Sequence, residues 1–98
     1  MATFILLSKI SLQGAKHIQS LAQMDQEFQK QLEKRYPQVR RISSYALLGA
    51  YDFLHIFEAP DAKFAARIAL LANTFGVSST ETLTAIPFEE FHEMLGEV

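Results

Sequence analysis

Two short segments, Phe4-Ile5-Leu6-Leu7 and Phe53-Leu54-His55-Ile56-Phe57, are apolar at odd and even positions alike. Successive side chains of a strand point to opposite sides, so each segment reads as a strand that needs apolar cover on both faces. Both lie in a chain of 98 residues, about the commonest domain size, which predicts a single domain over residues 1–98 with no room for a second core.

The rest of the chain supplies limited cover. Residues 3–10 form the first expected strand, mixing β-branched and aromatic side chains. In residues 11–36, Ala15, Ile18, Leu21, Ala22, Phe28 and Leu32 recur near the helical period, with Gln, Lys and Glu on the other side. The pattern slips between Ser20 and Asp25, which predicts a kink or two successive helices. Pro37 ends the helical run, because proline disfavours helix in the residue before it. Residues 39–48 and 51–59 read as strands joined by Gly49-Ala50, and glycine first in a two-residue loop fits a type II′ hairpin.

A second helix follows, with Asp61 as N-cap, a stripe of Phe64, Ala65, Ile68, Ala69, Leu71, Ala72 and Phe75, and Gly76 just past its end. Residues 78–86 form a fourth strand, whose Thr80, Thr82 and Thr84 suit a wetter edge. A short last helix begins at Pro87 and carries Phe88, Phe91, Met94 and Leu95 on one stripe.

The order βαββαβα, with right-handed crossovers and a central hairpin, predicts an α+β, ferredoxin-like βαββαβ sandwich with a short C-terminal helix. Its antiparallel four-stranded sheet would have the first and third strands in the middle. Two main helices cover only one face of such a sheet. An open apolar face of several hundred Å² exceeds what monomers usually show. The expectation is therefore a homodimer or higher homo-oligomer, sheet against sheet as in a dimeric α/β barrel, unless the last helix folds over the open face.

Composition removes several function classes. A formal charge of −2 offers no broad positive field for phosphates, and the basic run Lys34-Arg35-Tyr36-Pro37-Gln38-Val39-Arg40-Arg41, with four of the nine basic residues, has no stacking platform; nucleic acid is not an expected partner. The absence of Cys excludes disulfides, thiolate metal sites and cysteine nucleophiles. Phe4–Leu7 is far too short for a signal peptide or a membrane span, so no membrane partner is expected and a cytoplasmic location is the default.

Chemistry concentrates between Leu47 and Asp61. Alternation places Tyr51, Phe53, His55 and Phe57 on one face, with Asp52, Leu54, Ile56 and Glu58 on the other. An imidazole on an aromatic face fits a proton acceptor or ligand-orienting group, which makes His55 the catalytic candidate. A neutral core or interface histidine bonded to a neighbour, the commoner fate of a buried polar group, is the favoured reading of the two. Tyr51 and Asp52 could orient the polar end of a mostly apolar ligand beside His55, or could simply close the hairpin. Glu58 and Glu81 are strand carboxylates of unknown separation.

Glu89 and His92 share a helix face, but two ligands do not make a metal site, and none is expected; His17 stands alone next to Ile18. Ser43, Ser44, Ser78 and Ser79 fit no nucleophile pattern. Nothing in the chain calls for a cofactor.

Leu48-Gly49-Ala50-Tyr51-Asp52, followed by an apolar strand, Glu58-Ala59-Pro60-Asp61, an alanine-rich helix and Thr80-Glu81-Thr82-Leu83, resembles the GYD domain family over nearly the whole chain. His55 departs from the small apolar residue usual there. The resemblance implies the dimeric α/β barrel superfamily and a mostly bacterial distribution, but no activity. Two functional expectations follow: a homo-oligomeric small-molecule-binding or assembly module, or a cofactor-independent enzyme, monooxygenase- or isomerase-like, acting on a hydrophobic small molecule.

Overall fold

The computed structural model describes residues 1–10 and 20–98, apart from the Ser78 side chain. Its elements are β1 (Ala2–Ile10), α1 (Leu21–Arg35), β2 (Arg40–Ala46), β3 (Phe53–Ala59), α2 (Ala62–Asn73), β4 (Val77–Ala85) and α3 (Phe88–Leu95). The four strands form one antiparallel sheet in the order β2-β3-β1-β4, so the two segments apolar on both sides are its central strands. The fold is α+β and ferredoxin-like, as the element order predicts. His17, Ala15 and Ile18 lie outside the described residues.

Local signals account for most boundaries. α1 ends at Arg35, with Tyr36 as its cap ahead of Pro37. Asp61 caps α2, its Oδ1 accepting from the amides of Lys63 at 3.0 Å and Phe64 at 3.2 Å. Gly76 follows that helix with φ +85°, a conformation that favours glycine.

The hairpin between β2 and β3 differs from the expected two-residue turn. Its strands stop at Ala46 and start at Phe53, and the connection spans residues 47–52, closed by the Leu47 amide bonding the Asp52 carbonyl at 2.8 Å. Asp52 ties the end of this connection to β1 as well: its amide donates to the Ser8 carbonyl at 2.9 Å and its Oδ2 accepts from the Ile10 amide at 2.8 Å.

The main core lies between helices and sheet: Leu6, Phe28, Leu32, Phe57, Ile68, Leu71 and Ala72, extended at one end by Phe4, Ala59 and Ala65. Phe28 meets Phe57 and Phe75 edge-on, with centroids 6.5 and 6.0 Å apart. Ile5, Leu7, Leu54 and Ile56 point the other way and are only partly covered, beside exposed Tyr45 and Leu83. The last helix does not close this face, because α3 buries none of its residues.

Candidate ligand-binding site

The alternation that buries Phe4 and Leu6 also buries Ser8, which is 1% exposed. Register places it opposite Phe53, on the helix-facing side of the sheet, while Leu6 faces His55. These strands, with α1 and the junction of α2 and β4, surround a cavity of about 330 Å³. Its walls are mostly apolar, with Leu21, Met24, Phe28, Phe53 and Phe75 among the described lining residues.

One wall is polar and built around Arg41, whose side chain is 14% exposed. Its Nε donates to Ser44 Oγ at 2.9 Å, and Nη2 reaches Asp25 Oδ1 at 2.7 Å and His55 Nδ1 at 3.2 Å. Nη1 contacts Asp25 Oδ2 at 3.3 Å and Gln29 Oε1 at 3.4 Å. Each guanidinium N–H thus has an acceptor, and the charge is matched by Asp25. Because arginine only donates, Nδ1 of His55 must accept. Ser44 Oγ, 2.7 Å from the same nitrogen, donates to it as well, and the imidazole proton is assigned to Nε2. Burial, reinforced by the Arg41 charge and opposed by Asp25, lowers the His55 pKa from 6.5 to about 4. The ring is neutral at pH 7, seated between Phe53, stacked at 6.3 Å, and Phe57, tilted at 6.1 Å.

Of the three residues expected to form a site, the structure brings only His55 to this cavity. Asp52 is engaged by β1. Tyr51, which precedes the first paired residue of β3, leaves the His55 face: its hydroxyl donates to Glu81 and its ring lies under Lys9 Nζ at 5.5 Å, on the side of the sheet away from the helices. The hydrogen bond to Glu81 is the main cause of a raised Tyr51 pKa. Glu58, 3.9 Å from Arg40, is opposite Thr3, whereas Glu81 is opposite Leu7. Four residues of strand, about 13 Å, separate these carboxylates, too far for a working pair. Among the described residues, no three His, Asp or Glu side chains gather where an ion could be held. No described helix is long and apolar enough to cross a membrane.

The sequence matches the GYD domain family over residues 4–95. The chain belongs to this family. This GYD domain is 39% identical over 87 residues to a Thermus thermophilus protein described as the glutamine synthetase and cystathionine beta-lyase binding protein, covering 89% of the chain and 90% of that relative. Among solved structures it resembles TTHA0845 from Thermus thermophilus, with a TM-score of 0.59 and 20% identity over 89% of this chain and 95% of the other. It also resembles MtbAldR, with a TM-score of 0.62 and 15% identity over 88% of this chain. The GYD domain spans about half of MtbAldR, 53% of that chain. At these identities the structural matches establish the fold alone.

The residues that sequence reasoning missed are Ser8, Asp25, Arg41 and Ser44. Ser8 had a signal, as the polar member of the alternation Phe4, Leu6, Ser8. Arg41 had none, because its inward course depends on a register shift between Arg41 and Ser43.

Proposed function

We propose that this GYD domain is a homo-oligomeric binding module that acts by docking on metabolic enzymes, glutamine synthetase and cystathionine beta-lyase being the first to test. The observation that carries this reading is the 39% identity, across nearly the full length of both chains, to a protein described as binding those two enzymes. The surface supports it. Tyr45 and Leu83 stand exposed on the open sheet face, and α3 presents Phe88, Phe91, Met94 and Leu95 to solvent with none of them buried. Such apolar surface is characteristic of interaction sites.

Sedimentation velocity of the purified chain, alone and mixed with each purified enzyme from the same organism, tests both parts. The expected result is an oligomer that co-sediments with at least one enzyme. Failure to co-sediment with either at about 50 μM would overturn the docking reading, and a stable monomer would overturn the oligomer.

A second reading, a cofactor-independent catalyst for a hydrophobic molecule, draws support from His55 lying in an apolar cavity. Its pKa of about 4 weakens that reading, since a general base works best with a pKa near the operating pH. Unchanged turnover of any substrate found, after His55→Gln, would remove it.

A further inference from the structure

Ser8 Oγ is buried and has no hydrogen-bond partner among the described residues. An orphaned hydroxyl at 1% exposure carries an uncompensated desolvation cost, and native cores rarely leave one. This hydroxyl lines the cavity, as does His55. A second donor follows from the Arg41 network: with Nδ1 occupied as an acceptor, the Nε2–H of His55 has no acceptor among the described residues and, unlike Ser8 Oγ, is open to solvent.

Leu6 is opposite His55 and Ser8 opposite Phe53, which makes Ser8 and His55 diagonal neighbours on adjacent strands of the same face. Such neighbours are about 7 Å apart, near enough for both side chains to converge on one oxygen lying between them.

We propose that the cavity is a binding site for a neutral, flat, mostly apolar carbonyl compound, whose oxygen accepts hydrogen bonds from Ser8 Oγ and His55 Nε2. Size, shape and charge agree on this class. A volume of about 330 Å³ falls at the small end of ligand pockets, and Phe28, Phe53 and Phe75 offer ring surfaces to a planar body. A carboxylate is disfavoured. Arg41 is the one cation among the described lining residues, its donors are engaged, and Asp25 already neutralises it. A plain hydrocarbon would leave both donors unmatched. Tyr51 and Asp52 play no part in this site. The proposal is independent of docking on an enzyme, which uses the opposite sheet face and α3.

The test is NMR titration of the full chain with three small probes: acetophenone labelled with ¹³C at its carbonyl, ethylbenzene of similar shape without an acceptor, and benzoate. Acetophenone is expected to perturb the amides of residues 6–8, 53–55 and 75–77 and to bind more tightly than either of the others, with its carbonyl resonance moved downfield. Ser8→Ala, checked for folding by circular dichroism, should weaken acetophenone about five- to tenfold, the worth of one hydrogen bond, and leave ethylbenzene unchanged. The carbonyl shift in the unmodified chain reads the same bond should that variant not fold. Equal binding of acetophenone and ethylbenzene, tightest binding of benzoate, an unmoved carbonyl resonance, or no perturbation around the cavity would each overturn the proposal.

Discussion

On β1, Phe4, Leu6 and Ser8 are buried beneath the helices, while Ile5 and Leu7, one residue away along the same strand, are only partly covered. β3 divides the same way, with Phe57 at 1% exposure and its neighbour Ile56 half-buried. The two faces have similar apolar content and opposite fates. One is covered by the helices and leaves a cavity lined by the buried, unpartnered Ser8 hydroxyl and by His55. The other lacks an intramolecular lid, since α3 extends without burying a residue. Apolar composition therefore does not decide burial; topology does, by placing both crossover helices on one side. The closed face is suited to a small molecule, and the open one to a macromolecule or a second copy.

The largest effect that discriminates the faces comes from adjacent residues. Phe57→Ala removes a ring from the main core and should cost about 3–5 kcal/mol, at any protein concentration. Ile56→Ala should cost about 1 kcal/mol in a dilute monomer, and more as concentration rises, because a partner that covers the face adds to stability by mass action. Urea unfolding at two concentrations a hundredfold apart measures both. Equal costs independent of concentration would erase the distinction drawn between the faces.

The next effect is confined to the closed face and appears as pH dependence. His55 titrates near pH 4 when folded and near 6.5 when unfolded, so between these values the unfolded chain binds more protons. This contribution to stability is complete above about pH 6.5 and declines as pH falls, reaching a loss on the order of 2–3 kcal/mol by about pH 4. His55→Phe should flatten the slope of stability against pH between 6.5 and 4. A slope unchanged by that substitution would mean that the imidazole is not buried neutral against Arg41.

Why the closed face was only half legible in the sequence follows from the range of the interactions. The elements were readable because their signals are local: Asp61 three residues before Phe64, whose amide it caps, and Pro37 just past the end of α1. The sheet order followed from two strands apolar on both sides. The polar wall was not readable, since it joins Asp25 on α1, Arg41 and Ser44 on β2 and His55 on β3, and its geometry turns on the register shift in β2. The hairpin misled for a related reason. Alternation extrapolated back through Tyr51 assumes that the strand continues before Phe53, whereas β3 begins there and Tyr51 turns to Glu81.

The smallest effect sharpens the contrast from the open side. Tyr51 also carries a shifted pKa, raised above 10 chiefly because its hydroxyl donates to Glu81, but Glu81 is exposed and the contact lies at the surface. Surface contacts of this sort contribute little to folding. Glu81→Gln should bring the Tyr51 titration, followed by ultraviolet difference absorbance, back toward 10 and leave the melting temperature at pH 7 unchanged. The two faces then differ in kind: protonation of His55 is coupled to folding because the ring itself is largely buried beside the Arg41 charge, whereas that of Tyr51 is tuned by one neighbour without such coupling. A fall in melting temperature for Glu81→Gln that grows with protein concentration would place Glu81 inside an interface between copies, and the open face would then be closed by assembly.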